Sequence, residues 1–334
     1  MTGHQRTLDF LAGRSTDRLP FHPILMRWAA RGAGVRYRDF CTDPSSKVRA
    51  MLKAADEHGA DWVTVLSDPY AEASAFGVKV EYPEDDLPLD QGHFGSLEEL
   101  EALKPYEVDA HLRTANRIEE IRLFRRLAGD RHFIVGWVEG PVAEYADLRG
   151  LTESALDFMD EPERVGRVMD MIVDAAKRFI TAQVEAGADC IGIGDAFCSQ
   201  IGPALYQQLA AGRQRELVEH IHGLGALAKL HICGNTTAIL PGMIGTGADI
   251  VDVDHLVASM APFAPMLGKG QVFSGKVDPV SVVRNSDPGT ITKAMERDLA
   301  EAGGRCILSA GCEITPDTTA ENLAALRLAA DGRD

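Results

Sequence analysis

No uninterrupted apolar run approaches the roughly 20 residues of a membrane span, which excludes a transmembrane helix. The first residues, MTGHQRTLDFLAGRSTDRLP, carry charges throughout and lack the apolar stretch of a secretion signal, so a cytoplasmic location is expected. Positive charge is in short supply. Against 50 Asp and Glu there are 34 Lys and Arg, and the net charge of −16 would repel nucleic acid and anionic membrane surfaces. Cysteine is sparse as well, with six in 334 residues (41, 190, 198, 233, 306 and 312). That is no disulfide framework, and in a reducing compartment the roles open to these thiols are metal ligation or burial.

What is present describes a globular chain. With 45% hydrophobic and 25% charged residues, 32 Gly and 16 Pro, it can bury a large core. The length suits one large domain or two ordinary ones; no linker or low-complexity tract divides it, and a single domain over 1–334 with an N-terminal extension is expected. Residues 81–111, rich in acids and proline, read as an insertion after the second strand.

One phrase recurs. Gly-Ala-Asp stands at Gly59 to Asp61, Gly187 to Asp189 and Gly247 to Asp249, each time after a helical stretch and before a β-branched apolar run, with EAGGRCILSA at 301–310 as a looser copy. A glycine there can adopt the left-handed conformation that ends a helix, so the phrase reads as one helix-to-strand turn used repeatedly. Short apolar runs follow such signals or stand alone: Phe21 to Met26, Trp62 to Leu66, Phe133 to Val138, Cys190 to Gly194, Ala226 to Leu230, Ile250 to Val253, Val272 to Gly275 and Cys306 to Ser309. Most are continuous rather than alternating, as strands covered on both faces should be. The clearest helix spans 161–187, with Val165, Val168, Met169, Ile172, Ala176, Phe179 and Ile180 at helical spacing, Asp160 as N-cap, Pro162 in the first turn and Gly187 at its end. Strands alternating with helices predict an α/β fold, a (β/α)8 TIM barrel in preference to a doubly wound open sheet.

In such a barrel, chemistry belongs at the C-terminal ends of the strands. Those ends carry Arg27, then Ser67 and Asp68, Glu139, Asp195, His231 and Cys233, Asp254 and His255, Lys276 and Asp278, and finally Cys312. His231 and Cys233 differ by two, so a continued strand points both side chains to one face. A His-x-Cys pair is also an ordinary piece of packing. With Cys312 at a second strand end, however, one imidazole and two thiolates suit a zinc ion with an open fourth position, the pattern of catalytic zinc. Asp254 could fill that position at rest. Asp68 and Asp195 are candidate catalytic acids or simple turn and cap residues; Arg27 and Arg31 could bind a ligand's carboxylate or phosphate or form salt bridges; Glu139 and His255 complete a substrate-facing rim.

The segments DRLP, VLSDPYAEASAFGVKVEY, EGPVAEYADL, FCSQIGPALYQQL, HICGNTTAIL, GKVDPV and GCEITPDTTAENLAAL occur in an order that resembles the uroporphyrinogen decarboxylase superfamily, over most of the chain. The resemblance implies a (β/α)8 barrel. In the superfamily's methylcobamide methyltransferase branch, a His-x-Cys and a distant Cys bind zinc, and these fall on His231, Cys233 and Cys312. Porphyrinogen decarboxylases need no metal and carry histidine where Cys312 stands. Their Met-Arg-Gln-Ala-Gly-Arg-Tyr signature compares with MRWAARG here, keeping Arg27 and Arg31, and Asp68 falls on the aspartate that contacts pyrrole nitrogens. The metal triad favours the methyltransferase branch: transfer between a corrinoid and a thiol such as coenzyme M, or from a small methylated donor. The corrinoid-binding pattern Asp-x-His-x-x-Gly is absent, so a separate corrinoid protein is the expected partner. A metal-free decarboxylase of a tetrapyrrole or polycarboxylate, and a non-catalytic corrinoid- or tetrapyrrole-binding barrel, are the alternatives. Oligomeric state is open, a homo-oligomer included.

Overall fold

The computed structural model describes residues 1–329; the last five residues of the expected domain lie outside this range. The strands are β1 (Trp62–Thr64), β2 (Val80–Glu81), β3 (Leu89–Asp90), β4 (Phe133–Glu139), β5 (Cys190–Gly194), β6 (Leu227–Ile232), β7 (Ile250–Val253), β8 (Val272–Ser274) and β9 (Cys306–Ile307). Seven of them form one parallel sheet in the order β1-β4-β5-β6-β7-β8-β9, and β2 and β3 make a separate antiparallel hairpin.

The sheet closes through the first apolar run, which is shorter than its sequence suggests. Phe21 makes a single parallel bridge to Leu308. His22 N–H donates to Leu308 O, Leu308 N–H to Pro20 O and Asp61 N–H to Phe21 O, so this segment sits between β9 and β1 as the eighth stave. Pro23 has no N–H to continue the ladder, and Met26 already begins the helix Met26–Gly32. The result is a (β/α)8 barrel with one vestigial strand. The 81–111 segment follows the helix Tyr70–Phe76 and contains most of the hairpin, the short helix Leu97–Glu101 and a helical turn at Val108–Ala110.

The strands read as continuous apolar runs because their two faces meet different apolar surroundings. Trp62, Phe133, Val135, Cys190, Ile250, Val272 and Ile307 fill the lower barrel with Leu11 from the helix Gly3–Leu11. Ile134, Ile191, Ile193, Leu230, Val251 and Val253 belong to the larger core shared with the surrounding helices. The long helix runs Pro162–Ala186 with all seven spaced apolar residues buried; its N-cap is Glu161, one residue later than expected, and Gly187 ends it at φ 111°.

The Gly-Ala-Asp phrase does more than turn the chain. Gly59, Gly187 and Gly247 all have positive φ, as the helix endings require. Each aspartate then ties its own strand to both neighbours. Asp61 accepts Phe21 N–H at 2.8 Å on its carboxylate and Phe133 N–H on its carbonyl. Asp189 does the same for Ile134 and Leu227, and Asp249 for Ala228 and Val272. The carboxylates are completed by basic side chains: Arg6 and Arg18 on Asp61, Arg125 on Asp189, and the His222 imidazole on Asp249. In the looser copy, Arg305 stands in place of the aspartate and donates to the carbonyls of Ala264, Leu267 and Gly268 instead. The floor of the barrel is therefore stapled, leaving the opposite end for chemistry.

Removing a carboxylate from a buried pair strands its cation. Asp61→Ala, which deprives two mostly buried arginines, is expected to lower unfolding free energy by about 3 kcal/mol; Asp249→Ala, whose partner His222 is more exposed, should lose about 1 kcal/mol. Urea unfolding of the two variants checks the order, and equal losses would contradict it.

Candidate functional site

The mouth is set by the pleat of β6. Lys229 and His231 alternate inward, and register pairs His231 with Asp252 across β7. Just past the strand, Cys233 turns its sulfur back so that His231 Nε2 lies 2.9 Å from Cys233 Sγ, and Cys233 Sγ lies 3.6 Å from Cys312 Sγ. Among the described residues, this is the one group of three or more His, Cys, Asp or Glu side chains whose donor atoms all fall within 4.8 Å of one another. Cys312 arrives there because Gly311 packs against the neighbouring chain: a Cβ at that position would stand 2.4 Å from His255 N. The backbone can approach that closely only at glycine.

Below the triad lies a charge arrangement that strand-end reasoning missed. Asp252 Oδ2 is 2.7 Å from Lys229 Nζ and 2.9 Å from His231 Nδ1, with all three side chains buried. These are charge contacts rather than well-aligned hydrogen bonds. Burial opposes a charged imidazole, but Asp252 outweighs it and lifts the His231 pKa to about 9. Facing Cys233 and His231, the Cys312 thiol is held well below its ordinary value, and contact with Cys312 together with burial drives Cys233 the other way. The two thiols are thus unequal in the metal-free protein, Cys312 shifted toward the thiolate and Cys233 away from it.

The other rim residues are engaged in different ways. Asp254 accepts Gly234 N–H at 3.0 Å and Leu256 N–H at 2.9 Å, with His255 Nδ1 2.8 Å away. It clamps the loop that carries Cys233, and its carboxylate is not among the converging donors. His255, half-buried, stands between Asp254 and Asp278. Arg27 forks onto Glu313, the neighbour of Cys312, with Nε 3.2 Å from Oε1 and Nη2 3.1 Å from Oε2. Arg31 is exposed and, among the described residues, donates to the Pro316 carbonyl at 3.4 Å; Arg27 and Arg31 share a surface cavity of about 520 Å³ with Arg36, Tyr37 and Asp85.

Asp68 and Asp195 are not among the converging donors, and each is shut in. Asp68 pairs with Arg113, accepts Ser67 Oγ–H at 2.6 Å and, despite burial, is held below the usual carboxylate range by Arg113 and Arg117. Asp195 accepts the N–H groups of Val142 and Ala143 at the start of the helix Pro141–Arg149, and Gln214 Nε2 at 2.7 Å. Burial raises its pKa to about 6 against those bonds. Glu139 accepts the Trp137 indole N–H at 2.8 Å, and Trp137 in turn stands 6.2 Å from the His231 ring. Burial, with Glu72 nearby, pushes Glu139 and Glu144 well above the usual carboxylate range and Asp147 to about 8. Burial and mutual repulsion thus shift these acids toward their neutral forms, in the direction that makes this side less repulsive to an anion.

A parallel barrel that gathers soft, metal-type donors over the C-terminal ends of its strands is an enzyme scaffold by architecture. The uroporphyrinogen decarboxylase (URO-D) family matches residues 2–332, and the chain belongs to that family. A methylcobamide:CoM methyltransferase of Methanosarcina barkeri is 31% identical over 232 residues, covering 67% of this chain and 66% of that relative's length. A uroporphyrinogen decarboxylase of Gloeobacter violaceus is 25% identical over 298 residues, covering 86% and 83%. These identities support the methyltransferase branch. The fold matches a methyltransferase from Methanosarcina mazei at a TM-score of 0.87 and 23% identity, over 98% of both chains. No helix among the described residues is long and apolar enough to cross a membrane.

The unequal thiols give a direct test. A depressed pKa keeps Cys312 ionised well below the roughly 8.5 of an ordinary thiol, whereas Cys41, Cys190, Cys198 and Cys306 are buried. In chelator-treated protein at about pH 7, iodoacetamide should alkylate Cys312 first, as read by peptide mass mapping. Equal or faster modification of Cys233 would contradict the assignment.

Proposed function

We propose that the protein is a zinc-dependent methyltransferase, moving a methyl group between a corrinoid carried by a separate protein and a small thiol or other small acceptor or donor. The convergence of His231, Cys233 and Cys312 carries this reading. Two thiolates bound to one tetrahedral zinc at about 2.3 Å lie about 3.8 Å apart, close to the 3.6 Å between the two sulfurs; an imidazole nitrogen and a thiolate on the same ion lie about 3.5 Å apart, so the 2.9 Å between His231 Nε2 and Cys233 Sγ must open by about 0.6 Å. The donor set, one imidazole and two thiols, is that of a zinc site left open for substrate. When bound, zinc supplies a low pKa to a substrate thiol, which then remains a nucleophile near neutral pH.

The chain's own groups do the rest. Asp254 holds the Cys233 loop through Gly234, and the Arg27 to Glu313 fork braces the Cys312 loop. Asp195 fixes the helix after β4, and Asp68 the segment after β1, so these two acids are read as positioning groups. Trp137, Glu139 and His255 wall the mouth, where burial shifts Glu139 toward its neutral form and so favours the approach of an anionic sulfur, and Arg31 remains available to a ligand's anionic end. The methylcobamide:CoM methyltransferase relative and the absent corrinoid pattern both support a corrinoid delivered by a partner. The decarboxylase alternative would rely on Asp68 and Arg27, which are already engaged by Arg113 and Glu313.

Protein purified without added metal should hold about one zinc per chain, lost in Cys233→Ser. It should also demethylate free methylcobalamin with one or more members of a panel of small thiols. Metal-free, folded protein that decarboxylates a porphyrinogen would overturn the proposal, and tight corrinoid binding without turnover would point to the non-catalytic barrel.

A further inference from the structure

The interior of the barrel changes character abruptly with height. Its floor is apolar, but one layer up Lys229 and Asp252 sit fully buried at 2.7 Å, with His22 stacked on Trp62 at 4.2 Å beside them. Lys229 Nζ also lies 5.9 Å from the Trp62 ring centroid. Filling a barrel requires no ions, since branched apolar side chains do it more favourably, and a buried pair commonly adds nothing to stability over a packed apolar one. The pair therefore needs another reason for its place, and its one further charged contact among the described residues is His231 Nδ1, 2.9 Å from the same Asp252 oxygen.

We propose that Asp252 and Lys229 form a neutral positioning pair for the metal site, an inference that rests on the zinc reading above. With Asp252 beside Nδ1, the ring nitrogen turned toward Cys233 is Nε2. A carboxylate on the far nitrogen of a ligand imidazole fixes its tautomer and plane and raises its basicity. Lys229 holds that carboxylate from the other side and cancels its charge. Without the lysine, a buried uncompensated anion would sit directly beneath two thiolates and oppose a third. With it, the charge of the site is left to the sulfur ligands alone. The two residues reach this arrangement by register: Lys229 pairs with Ile250 and His231 with Asp252, so the Asp252 carboxylate lies between the two β6 side chains.

The test compares wild type with Lys229→Met/Asp252→Leu, which removes both charges at similar volume, and with Lys229→Met/Asp252→Asn, which keeps an acceptor for Nδ1. Zinc affinity is measured by chelator competition, the cobalt-substituted proteins by absorption in the visible, and the metal-free proteins by urea unfolding. The leucine variant should fold as stably as wild type in the absence of metal yet bind zinc about 10–100-fold more weakly, with a changed cobalt spectrum. The asparagine variant should recover part of the affinity. A stably folded leucine variant with unchanged zinc affinity and cobalt spectrum would overturn the positioning role while leaving the zinc reading intact. Wild-type protein that binds no zinc would overturn both.

Discussion

The site depends on the register of β6 against β7. Because side chains alternate with a period of two, Lys229 and His231 enter the barrel together, and Asp252 meets them from the neighbouring strand. A slip of one residue would turn every one of these groups outward into the helices and bring Leu230 and Val251 into the mouth. That register is fixed from below. The Asp249 carboxylate holds Ala228 at the foot of β6 while its carbonyl holds Val272 at the foot of β8, so the strand between them cannot slide without breaking both. Structural aspartates at one end of the barrel thus determine where the functional groups fall at the other.

Above this, the rim is an exercise in keeping charges from one another. Three buried cations, Lys47, Arg113 and Arg117, are spent on Glu120, Asp68 and Glu72 along the wall next to β1 and β4. The acids beyond them, Glu139, Glu144 and Asp147, lack that many partners and are pushed toward the protonated form. A chain with a net charge of −16 can in this way carry acids on one side of its barrel that are shifted toward their neutral forms. The soft donors sit at the opposite side of the opening, on β6 and after β9.

Much of this was legible in the sequence, for identifiable reasons. The Gly-Ala-Asp phrase marked helix-to-strand turns because only glycine takes that backbone readily, and strand ends marked the mouth because parallel barrels expose them. Three things were not legible. Phe21 to Met26 looked like a full strand because its apolar content hid the effect of Pro23 on the ladder. Asp252 and Lys229 lie within strands rather than beyond their ends, where only a lysine inside LAKLHI and an aspartate inside IVDVD mark them as anomalies of two otherwise apolar runs. The partners of Asp68, Arg113 and Arg117, lie on the helix Leu112–Ala128, and such pairings depend on tertiary placement that spacing does not encode.

The most direct measurement is a crystal structure of zinc-loaded protein with data collected on both sides of the zinc absorption edge. One anomalous peak bonded to His231 Nε2, Cys233 Sγ and Cys312 Sγ, with Asp252 still on Nδ1 and Asp254 still on the Gly234 loop, is the expected result. Zinc bound elsewhere, or coordinated by Asp254 in place of a thiolate, would contradict the account.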